Sequence, residues 1–215
     1  MTSIGDESMN VIAAFAQLAN GKDTVCDYLA EKLKSQNFGE WKRTAFANAV
    51  KDIYCNAFGV DRDFIEKWKR NSDCPPNMIM PVRQALQMIG DGFRKVKPDV
   101  WIEIALRGNE KKILADGRYI NEAKAVKAKG GFNILIFREG FLNNDTNRSE
   151  AELRPLAVYA KNSLQTGPIK YTQDMPEEFK FFDFYIYNNG NVEDLYEKVD
   201  KYLLPDILNR LHASL

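Results

Sequence analysis

VIAAFAQLANGKDT, residues 11–24, is the stretch whose reading decides the fold. Val11 to Phe15 are apolar without a break, the pattern of a strand buried on both faces. From Lys22 the period changes. Val25, Tyr28, Leu29, Lys32 and Leu33 fall on one side of a helix, and the Lys32 stem can lie along it. Between the two runs lies a loop of small and polar residues, A-x-x-x-x-G-K-D-T. Successive backbone N–H groups in such a loop form a concave nest for an anion, and the following helix adds free N–H groups and the positive end of its dipole. An ordinary Asn20-Gly21 surface turn is the alternative.

The spacing is close to G-x-x-x-x-G-K-[ST], in which the lysine reaches the β- and γ-phosphates of a nucleotide. The ATP-binding candidates are therefore Ala16, Gln17, Leu18, Ala19, Asn20, Gly21, Lys22, Asp23 and Thr24. Two of them depart from the strict pattern. Ala16 replaces a glycine, which is harmless where φ is negative and costs roughly 1 kcal/mol where φ must be positive. Asp23 stands where a hydroxyl usually helps to hold magnesium. In nucleoside monophosphate kinases the residue after the lysine is often not a hydroxyl and the next threonine meets phosphate; Asp23-Thr24 resembles that arrangement.

A chain of 215 residues with 45% hydrophobic content suits one large α/β domain or a domain with an inserted lid. With 30 basic and 30 acidic residues the formal charge is zero, so no extensive nucleic-acid surface is expected. Cys26, Cys55 and Cys74 are odd in number and lack metal spacing, which suggests reduced thiols in a cytoplasmic protein. The polar first ten residues give no signal peptide, and no apolar run approaches the ~18 residues of a membrane span.

Outward from the loop, a short strand is expected around Thr44–Phe46, followed by a helix with Val50, Ile53, Tyr54 and Ala57 inward. Asp61 can cap a helix holding Phe64, Ile65 and Trp68. Pro75, Pro76 and Pro81 make 70–81 irregular, and Pro81 opens a helix with Val82, Leu86, Ile89 and Phe93 buried. Arg83, Gln87 and Arg94 share another face of it, of a kind suited to phosphate and base-edge recognition, though from spacing alone an ordinary solvated face is the better reading. Asp99 is expected to cap a helix through Trp101, Ile104 and Leu106. Residues 111–118, KKILADGR, read as a buried strand with Asp116 at its carboxyl end, where ligands bind in open α/β sheets. A helix over 121–129 stops at Gly130-Gly131, and FNILIFR, 132–138, is the next buried strand, ending in Arg138. Residues 139–178 lack strong periodicity, as a mobile lid does. The last strand is FDFYIYN, 182–188; a helix follows with Leu195, Val199, Tyr202 and Leu203 inward, kinked or restarted at Pro205. His212 is expected at the surface.

Together these elements give a P-loop NTPase-like, three-layer α/β/α fold with a mostly parallel sheet. Its core spans about 10–58 and 111–215, with a helical acceptor-binding region over about 59–110 and a lid within 139–178.

Four pieces resemble the bacteriophage-type deoxynucleoside monophosphate kinases: NGKDTVCDYL (20–29), VRQALQMIGDGFR (82–94) with Trp101, LADGRYINEAKAVKAKGG (114–131), and IFR (136–138) with Arg148-Ser149-Glu150. YNNG (187–190) also fits, so the resemblance covers nearly the whole chain. Asn147 and Arg148 stand where a histidine is usual. The resemblance implies transfer of the γ-phosphoryl of ATP to a dNMP. It implies Lys22, Arg138 and Asp116 as catalytic residues, and Mg2+ near Thr24 or Asp116, directly or through water. Arg83, Gln87, Arg94, Trp101, Arg118, Arg148 and Glu150 would bind the substrate, with Arg138 and Arg148 neutralising the transferring group. It also allows a homodimer and, for a phage-encoded protein, the host cytoplasm. Two alternatives stay open: a P-loop kinase acting on a modified base or polynucleotide, and a nucleotide-binding module without catalysis.

Overall fold

The computed structural model describes residues 9–138 and 151–213, which form two compact units, Met1–Ala45 with Gly108–Leu215, and Phe46–Arg107. The first unit holds a six-stranded sheet in the order β2-β3-β1-β4-β6-β5. Its strands are β1 (Val11–Phe15), β2 (Lys42–Thr44), β3 (Lys112–Gly117), β4 (Phe132–Arg138), β5 (Gly167–Pro168) and β6 (Phe184–Asn188). All pair in parallel except β5, which runs antiparallel to β6 at one edge.

β1 lies between β3 and β4, with Ile12 opposite both Ile113 and Phe132, and every one of its residues is buried. A parallel sheet covered on both faces needs such continuous apolar strands. One face carries Ile12, Ala14, Ile134 and Ile186 and packs against α1 (Lys22–Ser35) and the C-terminal helices. Those are α8 (Val192–Lys198), a π-helical turn (Val199–Leu203) and α9 (Leu204–Ala213). Leu195, Val199 and Leu203 point inward as the spacing requires, whereas Tyr202 is exposed, because the wide π turn rotates the face before Pro205 restarts the helix. The opposite face packs against α6 (Ile120–Ala128) and α7 (Arg154–Ser163). There the buried Asn133 donates to the Ala123 and Phe181 carbonyls at 2.8 and 2.7 Å.

From residue 151 onward, the aperiodic stretch contains a helix and a short strand. Leu156, Ala157 and Ala160 bury one side of α7, and β5 follows. Leu153, Leu156, Ala157 and Ala160 keep helical spacing, a signal that the surrounding polar residues obscured. The lid expectation over 139–150 lies outside the described residues.

The second unit is helical: α2 (Asn48–Phe58), α3 (Arg62–Trp68), α4 (Val82–Val96) and α5 (Val100–Ala105). Tyr54, Ile65 and Val82 form its buried centre, with Leu86 and Ile89 against them. Asp61 caps α3, accepting the Phe64 N–H at 2.7 Å. Four expectations fail locally. The strand β2 ends at Thr44, Ala57 is exposed on the last turn of α2, Phe93 is 44% exposed, and the Asp99 side chain makes no cap hydrogen bond. α4 also holds Gly92, exposed and with open space where a Cβ would be. Gly92→Ala is therefore expected to stabilise the helical unit by about 0.5–1 kcal/mol through reduced unfolded-state entropy. Thermal unfolding followed by circular dichroism should register this as a rise of roughly 1–4 °C in Tm.

Candidate functional site

The loop after β1 is pinned from three sides. The Ala16 N–H donates to the Gly117 carbonyl of β3 at 3.4 Å. Asn20, only 1% exposed, accepts the Arg138 N–H of β4 on its side-chain oxygen and donates from its amide to the Leu18 carbonyl at 2.9 Å. The Asn188 amide, at the end of β6, donates to the Asn20 carbonyl at 3.1 Å. All of these anchors lie at the carboxyl ends of parallel strands, on both sides of the central β1, where open α/β sheets form their crevice.

The backbone explains how the loop tolerates alanine at its start. Its positive-φ positions are Ala19 (φ 63°) and Gly21 (φ 93°), so Ala16 adopts a conformation open to any residue. The strain expected from a missing glycine falls instead on Ala19, at roughly 1 kcal/mol. Gly21 is required twice over: φ is left-handed, and a Cβ there would lie 2.6 Å from the Asn188 amide nitrogen. Gly117 is likewise fixed, because a Cβ would lie 2.5 Å from the Phe15 ring.

The two helix N-termini near this loop differ sharply. At α6, Glu122 accepts the Arg118 and Tyr119 N–H groups at 2.8 and 3.0 Å, and Glu152 accepts the Ile120 N–H at 2.7 Å. Its first donors are thus satisfied by the protein's own carboxylates. At α1 the cap is Gly21, which offers no side chain, and the first helical bond is from Val25 N–H to the Gly21 carbonyl at 3.0 Å. Of the two, α1 is the terminus without a side-chain cap, and free N–H groups at such a terminus can bind an anion.

Lys22 sits at this terminus, its side chain 11% exposed, with its ammonium 2.6 Å from Asp23. Asp23 also lies 3.5 Å from Arg43 of β2, and Arg43 donates to Asp27 at 2.6 Å. Thr24 is half-buried in the first turn, as are Asp116 and Arg118 around the end of β3. Beneath them Cys26 is fully buried, and burial pushes its thiol up to about 12 against the opposing pull of Arg43. Cys74 is exposed and Cys55 half-buried. A thiol reagent near neutral pH should therefore label Cys74 rapidly, Cys55 more slowly and Cys26 only on unfolding; mass mapping of a labelling time course checks that order.

In the helical unit, Arg83 and Gln87 are half-buried on α4. Arg94 pairs with Asp91 at 3.1 Å and folds over Gly90, which lies on the same stripe. Trp101 differs from its expected place. It is 2% exposed, its indole N–H donates to the Gly90 carbonyl at 3.0 Å, and its ring lies 5.2 Å from that of Phe93. It offers no face to a substrate and instead fixes α5 against α4. Arg148 and Glu150 lie outside the described residues.

Sequence reasoning passed over Asn188, Glu122 and Arg43. The YNNG run carries the first and the N-E pair after Asp116 the second, but neither motif shows by itself what its side chain holds. Among the described residues no three His, Cys, Asp or Glu side chains gather as a metal cluster, and no helix is long and apolar enough to cross a membrane.

No family model matches the chain. A curated protein of Acanthamoeba polyphaga mimivirus, named "Putative deoxynucleotide monophosphate kinase", is 29% identical over 211 residues, covering 89% of this chain and 94% of its own. Among solved structures, shikimate kinase from Acinetobacter baumannii in complex with shikimate is 14% identical with a TM-score of 0.47, covering 93% of this chain and 96% of its own. An unliganded sugar kinase from Janibacter is 10% identical with a TM-score of 0.36, covering 91% and 94%.

Proposed function

We propose that this protein is a deoxynucleoside monophosphate kinase, transferring the γ-phosphoryl of ATP to a dNMP. The observation that carries the reading is the pinned loop at α1. Its helix terminus has no side-chain cap and holds Lys22, while the neighbouring terminus of α6 is filled by Glu122 and Glu152. The 29% identical viral relative supports the same substrate class, although it comes from an amoebal virus and not a bacteriophage.

In the proposed reaction an oxygen of the acceptor phosphate attacks the γ-phosphorus. The new P–O bond forms as the bond to the β–γ bridging oxygen breaks, and ADP leaves. The acceptor is already an anion, so no strong general base is needed, and catalysis is in-line positioning plus neutralisation of oxygen charge. The loop N–H groups and Lys22 hold the donor phosphates. Arg138 neutralises the transferring group, and Arg118 holds the acceptor phosphate. Within the helical unit, the Arg83 and Gln87 face is assigned to acceptor recognition.

The donor set suits Mg2+ held mainly by the phosphates, since that ion takes one or two protein groups and keeps waters. Thr24 and Asp116 are the candidates, and the ion would supply further charge neutralisation of the donor oxygens.

A coupled ADP-release assay with ATP against each common dNMP and NMP tests the reading. Turnover with at least one deoxynucleotide is expected. ATP binding without turnover on any of them would leave a nucleotide-binding module, and phosphorylation of an oligonucleotide end alone would indicate a polynucleotide kinase.

A further inference from the structure

We infer that Asn188 is a positioning residue of the donor-phosphate loop, acting with Asn20 as a two-amide staple that sets the direction of the loop N–H groups. The inference rests on the donor-loop reading above and adds to it a residue from the far end of the sequence. Asn188 is 4% exposed at the carboxyl end of β6, and its amide donates to the Asn20 carbonyl at 3.1 Å.

That bond fixes a peptide plane. None of the peptides here is cis, and in a trans peptide the C=O and N–H point in opposite directions. Holding the Asn20 carbonyl toward Asn188 therefore turns the Gly21 N–H away from it. The same amide nitrogen lies 2.6 Å from where a Gly21 Cβ would be, so Asn188 also enforces glycine at the left-handed position. Meanwhile the Asn20 side chain accepts the Arg138 N–H, so one residue ties the loop to the end of β4. The Asn188 end of the staple is itself held. Lys198 donates to the Tyr187 carbonyl at 2.7 Å and to the Asn189 side chain at 2.5 Å, and Asn191 caps α8 through Asp194 at 2.8 Å.

A bond so placed serves binding more than folding. Losing it frees the Asn20–Gly21 peptide to rotate, and rotation removes an N–H from the anion nest without removing apolar burial. Asn188→Asp tests this with little change in size: a carboxylate oxygen would face the Asn20 carbonyl, repelling it and adding negative charge behind the nest.

Calorimetric titration with two probes, ADP and inorganic tripolyphosphate, each without metal, reads the effect. Asn188→Ala is expected to raise both dissociation constants about tenfold, and Asn188→Asp more. The apparent acceptor KM should stay within about twofold, because the acceptor does not depend on the Gly21 N–H. Ile207→Val, a truncation in the buried core of α9, controls for stability: it should lower Tm while leaving both dissociation constants unchanged. Wild-type affinity for both probes in the two Asn188 variants would overturn the staple while leaving the donor-loop reading intact. Failure of the wild-type protein itself to bind either probe would overturn that reading and the staple with it.

Discussion

Lys22→Ala is expected to lower kcat by about a hundredfold to a thousandfold, the usual cost of removing one preorganised charge partner from a reacting oxygen. The reason is the position of the ammonium. It stands at the first residue of α1, on the terminus that no side chain caps, and it pairs with the adjacent Asp23 at 2.6 Å. Asp23 is 66% exposed, and pairs of that kind contribute only ~0–1 kcal/mol to stability. A phosphate arriving at the loop can therefore displace Asp23 at small cost, and the same weakness means that the variant should stay folded. Its Tm should fall by no more than about 4 °C. Initial rates of ADP release and a thermal melt on the same preparation check both halves. Near-wild-type turnover in a folded variant would remove the loop from the chemistry.

Arg118→Ala should cost about tenfold to a hundredfold in kcat/KM for the acceptor, the equivalent of one charge-assisted contact of roughly 1.5–3 kcal/mol. ATP affinity should change much less. Arg118 follows directly on the end of β3, beside the β1 loop, and its backbone is held by Glu122, which is 3% exposed. The guanidinium thus starts from a fixed point, and a fixed fork is what bidentate phosphate binding requires. Arg118→Lys keeps the charge but loses the fork, and should recover only part of the loss. Arg83→Ala is expected to act on the same acceptor parameter, and Gln87→Ala to change the ranking among bases more than the rate. Steady-state kinetics with donor and acceptor varied separately decide the matter; an unchanged acceptor parameter in both arginine variants would place the acceptor elsewhere.

The amino-acid sequence by itself determined the strand–loop–helix at 11–35, the buried strands carrying Asp116 and Arg138, and the closing strand and helix. Each of these is encoded locally, by a change from continuous apolar residues to a helical period and by glycine at the turns. It also marked the Asp61 cap and the Pro205 restart, since capping and proline geometry involve only a few neighbouring residues. Local pattern was weakest where short apolar runs sit among polar residues, as in α7, and where a large aromatic could be core or ligand. The family resemblance implies a substrate role for Trp101, whereas its indole N–H bonded to the Gly90 carbonyl makes it a buried brace.

Tertiary structure alone decided the remainder. Asn20 and Asn188 are 168 residues apart, and Asn20 and Arg138 are 118 apart. Those pairs meet because β4 lies beside β1 and β6 beside β4, in parallel and in a register that brings their carboxyl ends level. Strand order and register arise from the packing of both sheet faces at once, and no window of sequence contains them. The same holds for the choice between helix termini. α1 and α6 both begin after a strand; Glu122 caps α6 from within its own first turn, but only the folded arrangement brings Glu152 from 32 residues away onto the Ile120 N–H, while α1 has no side-chain cap.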